Sequence, residues 1–124
     1  MVDTSAWIEW LIASGTGRAL AERWPDREST LVPTIVQLEL AKWSARELEE
    51  AESDQILAYT LKCRVIDLDT RLALSAAALH REHGLATADA IVYASARHSG
   101  AELLTCDRHF DGLPFVRYQA KLSG

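Results

Sequence analysis

Residues 84–110 read GLATADAIVYASARHSGAELLTCDRHF, a helix, a turn, a strand and an acidic turn in that order. Gly84 closes a preceding helix, Thr87 is placed to cap the next one, and Asp89 falls in its first turn. From Ala90 to Ala96 the chain is apolar on nearly every side, a pattern that a helix tolerates only when it is buried. Gly100 has the position of a helix-closing glycine. Residues 102–105 make a short strand built on Leu103 and Leu104, and Asp107 follows just past its C-terminal end. In parallel α/β sheets, ligands bind at that edge. Asp107 therefore stands where chemistry is expected, and Asp89 heads the helix that leads into the same strand.

Working outward, the same alternation repeats. Residues 1–3 form the stub of a strand. A helix follows over 5–12, with Trp7, Ile8, Leu11 and Ile12 on one face and Glu9 off it. A turn at 14–17 leads to a second helical piece over 17–24, then a loop marked by Pro25, Asp26 and Ser29. Residues 30–32 are a strand. Pro33 opens a helix in which Thr34 and Gln37 have capping-box spacing and Val36, Leu40 and Trp43 recur at helical intervals. Residues 44–54, SARELEEAESD, read as the solvated end of that helix and a turn, with another helix around Ile56 to Leu61. Val65 and Ile66 form a strand core. Asp69 or Thr70 caps a helix striped with Leu72, Ala76 and Leu79, which ends at Gly84, and residues 115–118 give the last strand. Strands alternating with helices argue for an α/β fold, with a mostly parallel central sheet of about five strands and helices on both faces.

A chain of 124 residues is expected to be a single domain, residues 1–124, with a sizeable core. Its formal net charge of −5 speaks against a simple polyanion-binding module, whose footprint is usually basic. It does not speak against a metal enzyme, because a bound cation inverts the local charge logic. No apolar run approaches the ~20 residues that cross a bilayer, and an acid comes at the third residue, so neither a membrane span nor a signal peptide is expected. Cys63 and Cys106 have neither metal-type spacing nor a disulfide pattern. A reducing cytoplasm is the expected location.

Four carboxylates stand apart: Asp3 at the end of the first strand, Glu39 inside the apolar helical stretch QLEL, Asp89 in a helix's first turn, and Asp107 after a strand. Each has an ordinary structural reading. Asp3 suits a helix cap, Asp89 suits a helix N-terminus, and Asp107 suits a turn. Glu39 has the weakest such reading, since an acid among core residues needs a partner. Singly, structure is the better account of the three aspartates; together, one site is. Like charges at close range raise one another's pKa. A hard divalent cation such as Mg²⁺ or Mn²⁺ relieves them by taking oxygen ligands. Such ions activate water and stabilise displacement at phosphorus.

At these residues the chain resembles a PIN-domain ribonuclease of the VapC toxin type. The matching pieces are Val2-Asp3-Thr4-Ser5, Pro33-Thr34-Ile35-Val36-Gln37-Leu38-Glu39, Asp89-Ala90-Ile91 and Leu103-Leu104-Thr105-Cys106-Asp107-Arg108-His109-Phe110. They span almost the whole chain in order, and the four together are specific where no single one is. The resemblance implies a PIN-like three-layer domain. It implies Asp3, Glu39, Asp89 and Asp107 as catalytic, metal-binding acids, with Ser5 and Thr105 as polar helpers. It also implies a toxin, neutralised by a small cognate VapB-like antitoxin and forming a homodimer. The expected activity is a Mg²⁺- or Mn²⁺-dependent endoribonuclease that cuts single-stranded or looped RNA with metal-activated water, leaving a 5′-phosphate and a 3′-hydroxyl. Lys42, Arg46, Arg108 and Arg117 are candidates to hold phosphates.

Two rival readings come from other classes. A phosphoacceptor signalling domain has about this length and architecture, but Asp3 has no acidic neighbour and the lysines are only Lys42, Lys62 and Lys121. A non-catalytic PIN-like binding module is opposed by the intact acid set. Asp67-Leu68-Asp69-Thr70 has its threonine one position too early for a phosphatase pattern. His80 and His83 read as a solvated or packed pair, and His98 and His109 as phosphate contacts at most. Trp7 and Trp43 read as core. Trp10 and Trp24 read either as rings packed under loops or as surface anchors for an antitoxin or a second subunit along residues 5–24.

Overall fold

Val2 pairs with Leu104 through a single parallel bridge, and the chain then turns at once into its first helix. This is how a computed structural model, which describes residues 1–122, begins. Helix α1 (Thr4–Leu11) and α2 (Gly15–Ala21) form a hairpin that ends in a 3₁₀ turn at Arg27–Ser29. Strand β1 (Leu31–Pro33) runs into α3 (Thr34–Glu47), followed by α4 (Glu50–Leu61) and β2 (Arg64–Ile66). Helices α5 (Thr70–His83) and α6 (Thr87–His98) lead to β3 (Leu103–Thr105), a 3₁₀ turn at Arg108–Phe110, and β4 (Val116–Tyr118).

All strand pairings are parallel, as the alternation requires. The expected sheet of about five strands is smaller in practice: β1 pairs with β2, β3 pairs with β4, and the first strand is reduced to the Val2–Leu104 bridge. The reason is local. Asp3 already occupies the N-cap of α1, and Pro33 ends β1 as the N-cap of α3, so neither strand has room to extend. The core joins the inner faces of both strand pairs and the helices, with Val2, Trp7, Val32, Val36, Leu103 and Phe110 fully buried. Helix α6 is the most enclosed: Ala90, Val92, Tyr93, Ala94, Ser95 and Ala96 are all buried, as its apolar circumference predicts.

Several local expectations change. Thr34 and Gln37 form no capping box, because Pro33 takes the cap and places Thr34 inside the helix; Gln37 Nε2 donates to Thr60 Oγ1 at 3.2 Å instead. The charge-rich stretch 44–54 is the end of α3 only as far as Glu47. Only Leu48 and Glu49 break the helices, and α4 starts at Glu50, where Glu49 N–H donates to Glu52 Oε1 at 3.2 Å. Thr87 lies one position inside α6, whose N-cap is Ala86. Asp69 caps α5 by accepting from Leu72 N–H at 2.9 Å, and Gly84 ends that helix at φ 67°, a left-handed conformation that glycine adopts without a Cβ penalty.

Trp10 and Trp24 are not free anchors. The α1–α2 hairpin stacks them on each other, with ring centroids 4.3 Å apart and planes 8° apart, and both meet Trp7 edge-on. The hairpin closes this tightly because residue 17 is glycine: a Cβ there would lie 1.9 Å from the Glu9 carbonyl oxygen. The histidines of α5 are structural, as read from the sequence: His80 Nδ1 bonds to the Leu85 carbonyl, and His83 packs edge-on against Tyr93 at 5.7 Å.

Candidate active site

The parallel bridge carries Asp3 out of the sheet beside the end of β3. Asp3 N–H donates to the Leu104 carbonyl, and Leu104 N–H to the Met1 carbonyl, each at 2.9 Å. Although Asp3 is the N-cap residue of α1, its side chain makes no cap bond. Its buried carboxylate, 4% exposed, accepts from Ser5 Oγ at 2.8 Å and Thr105 Oγ1 at 2.9 Å, both through Oδ2. The two hydroxyls are held in turn by backbone: Cys106 N–H donates to Ser5 Oγ and Asp107 N–H to Thr105 Oγ1, each at 3.0 Å. Each hydroxyl thus spends its one proton on Asp3 and receives one from the main chain. Ser5 and Thr105 orient the carboxylate.

The other acids arrive from three elements. Glu39, one turn beyond the buried Val36 on α3, accepts from Thr4 Oγ1 at 2.6 Å, so α1 holds two of the four carboxylates. Asp89 is the third residue of α6, half-buried. Asp107 caps the Arg108–Phe110 turn by accepting from His109 N–H at 2.9 Å, so its turn-forming role is real alongside any other. Asp89 and Asp107 share a group with His109: one oxygen of each and a His109 ring nitrogen lie within 4.8 Å of one another. Asp3 and Glu39 are not part of that group.

The electrostatics show what the gathering costs. Burial pushes the Asp3 carboxyl above its usual range; the bonds from Ser5 and Thr105 pull it down, and Glu39 and Asp107 push it up again. Asp89 is pushed up to about 6, first by burial, then by the charges of Asp107 and Asp3, with His109 acting against them. Among the described residues no lysine or arginine forms an ion pair with any of the four acids; the His109 ring is the one basic side chain within that distance. The donor set is oxygen-rich and lacks a resident cation, which is what a hard divalent ion fits.

Of the basic residues singled out, Arg108 stands next to Asp107. It borders an open cleft of about 500 Å³ with Asp107, Tyr118 and Lys121. Arg117 pairs with Glu102 at 3.7 Å at the other end of β3, beside Met1, and Arg46 pairs with its neighbour Glu47 at 2.9 Å. Thr4, Tyr118 and Lys121 were not visible as site residues in the sequence. Thr4 had a signal, since it adjoins Asp3 at a helix start. Lys121 had none, because only the path of the chain after β4 brings it beside Asp107.

A mostly parallel α/β domain with an acidic centre at its carboxyl edge is thus defined by geometry alone. The chain belongs to the PIN domain family, whose family model matches residues 1–116. Solved structures share the fold. A chain of a toxin–antitoxin complex from Klebsiella pneumoniae is 24% identical with TM-score 0.79, over 94% of this chain and 93% of that one. Chains of VapBC2 from Rickettsia felis bound to a promoter DNA fragment, and of DNA-bound VapBC from Salmonella typhimurium, are 16% and 17% identical with TM-scores 0.70 and 0.72. Each of those two comparisons covers 97% of this chain and 96% of the other. No curated protein matches the chain. Family membership removes the phosphoacceptor reading.

Proposed function

We propose that the chain is the toxin of a toxin–antitoxin pair, a Mg²⁺- or Mn²⁺-dependent endoribonuclease acting on single-stranded or looped RNA. The observation that carries this reading is the set of four acids at one sheet edge, with no lysine or arginine paired to any of them among the described residues. Asp89 and Asp107 would hold the metal most directly, with Asp3 and Glu39 completing the acidic wall. When bound, the ion supplies a Lewis acid that activates water and offsets charge on the scissile phosphate. The chain's own residues do the rest. Ser5 and Thr105 fix the Asp3 carboxylate, and Thr4 fixes Glu39. Arg108 and Lys121, on the cleft beside Asp107, are suited to neighbouring phosphates, and Tyr118 to a stacked base. Products would carry a 5′-phosphate and a 3′-hydroxyl.

The partners follow from the same reading. The fold neighbours are described as toxin–antitoxin and VapBC complexes, which supports a VapB-like antitoxin for this chain. A groove of about 460 Å³ between α1, the end of α3 and α4 suits an antitoxin segment; Trp10, Ile12, Trp43, Leu48, Ile56 and Tyr59 line it. Here Trp10 offers one edge of a stacked ring. A homodimer and a cytoplasmic location belong to the same proposal; among the described residues no helix is long and apolar enough to cross a membrane.

The test is cleavage of end-labelled RNA with and without Mg²⁺ or Mn²⁺, with Asp3→Asn as control. Cleavage that needs the metal and disappears in Asp3→Asn supports the reading. Cleavage that survives chelation, or an active Asp3→Asn, refutes it.

A further inference from the structure

One neighbour of the acids is not an oxygen. His109 stands on the Arg108–Phe110 turn, two residues past Asp107, and its side chain folds back across the cluster. Its Nδ1 lies 3.0 Å from Asp107 Oδ1 and 4.0 Å from Asp89 Oδ2. The backbone beneath it is anchored. His109 N–H donates to Asp107 Oδ1 at 2.9 Å, Phe110 N–H to the Asp107 carbonyl at 3.1 Å, and the Phe110 ring is fully buried. The imidazole itself is 73% exposed, so it can rotate about a fixed base. Three donor atoms from Asp89, Asp107 and His109 already lie within 4.8 Å of one another. Small rotations of the three side chains would bring such a set within reach of one ion with ligand distances of about 2.0–2.2 Å.

We infer that His109 is a ligand of the divalent ion, together with Asp89 and Asp107, and that it gives the site a preference for Mn²⁺ over Mg²⁺. This rests on the reading of the acid cluster as a metal site. Mg²⁺ is a hard ion that selects oxygen and gives up water reluctantly, whereas imidazole suits the transition metals. A mixed oxygen and nitrogen set therefore separates the two ions where an all-carboxylate set would separate them less. The competing role for His109 is that of a counter-ion, holding the two carboxylates until a metal arrives and then leaving. The two roles have opposite consequences. Removing a counter-ion leaves metal binding as strong or strengthens it, equally for both ions. Removing a ligand weakens Mn²⁺ selectively.

The experiment is calorimetric titration of the purified full chain with Mn²⁺ and with Mg²⁺, in the absence of RNA, for the parent, His109→Ala, His109→Asp and Asp107→Asn. Visible absorption of the Co²⁺-loaded parent and His109→Ala proteins reports loss of a nitrogen ligand. The expected result is a loss of about tenfold to a hundredfold in Mn²⁺ affinity in His109→Ala, the scale of metal-site lesions, with a much smaller loss for Mg²⁺ and an altered Co²⁺ spectrum. His109→Asp should recover Mg²⁺ binding but not the preference for Mn²⁺. Mn²⁺ affinity in His109→Ala at or above the parent's, with an unchanged Co²⁺ spectrum, overturns the inference. If Asp107→Asn abolishes binding in that case, the acid cluster stands and only His109 falls. If the parent binds neither ion, both fall.

Discussion

Helix α1 begins among like charges and ends among aromatic rings. At its start, Asp3 is buried beside Glu39 and Asp107, and only hydroxyls and backbone amides hold it in place. One turn further on, Trp7 is fully buried, with Trp10, Trp24 and Tyr59 packed around it at centroid distances of 5.2–5.8 Å. The aromatic end contributes stability through area and ring geometry. The acidic end loses stability, because burial and neighbouring charges both disfavour the ionised carboxylates. A single short helix thus ties the cluster of acids to a buried aromatic cluster, so the second can offset what the first costs in a marginally stable domain.

The contrast can be broken at either end. The largest expected effect is at the aromatic end: Trp7→Ala should cost about 3–5 kcal/mol, the range for large core truncations, read from urea unfolding. A loss below about 1 kcal/mol would mean that the tryptophans do not anchor α1. Next comes Thr105→Val, which leaves Asp3 one donor short and Asp107 N–H without its acceptor. It should cost about 1–3 kcal/mol in metal-free protein and shrink the stabilisation by Mn²⁺. A variant as stable as the parent would show that the hydroxyl does not support the carboxylate.

The smallest effect has the opposite sign. Asp89 is held at about 6 against an ordinary 3.8, so between those values the folded protein binds more protons than the unfolded chain. Its stability should therefore fall as pH rises from 3.8 to about 6 and stay lower above that, with no such penalty below 3.8. Asp3 acts in the same direction. Asp89→Asn should flatten that fall and raise the melting temperature of metal-free protein at pH 7. Melting curves across pH in a chelator check this, and a parent whose stability rises through the same window would show that the acids are not under mutual repulsion.

Much of this was legible in the sequence because it rested on periodicity and on neighbours along the chain. The order of elements, the burial of α6, the cap at Asp69 and the glycine stop at Gly84 all depend on residues a few positions apart. The capping of α3 and the start of α4 were misread because several residues could serve, and tertiary partners such as Thr60 decided between them. The stacking of Trp10 on Trp24 needed the hairpin to close at Gly17, which no local pattern announces. At the site the four acids, Ser5 and Thr105 were singled out, but not the bonds that join them. Thr4 reaches Glu39 across 35 positions and Thr105 reaches Asp3 across 102, distances over which only the folded chain connects them.

The central claim is that these acids form one metal-dependent RNA-cleaving centre, and Asp107→Asn tests it most directly. Asp107 is the most suitable of the four, being partly exposed and outside the regular helices, and asparagine can keep its cap of the Arg108–Phe110 turn, so the substitution should leave the fold intact. Cleavage of end-labelled RNA by parent and variant would be measured at saturating Mn²⁺, with circular dichroism and the unfolding midpoint confirming the fold. The expected result is a folded variant with no cleavage above background. A folded Asp107→Asn that cuts RNA at close to the parent's rate would contradict the account.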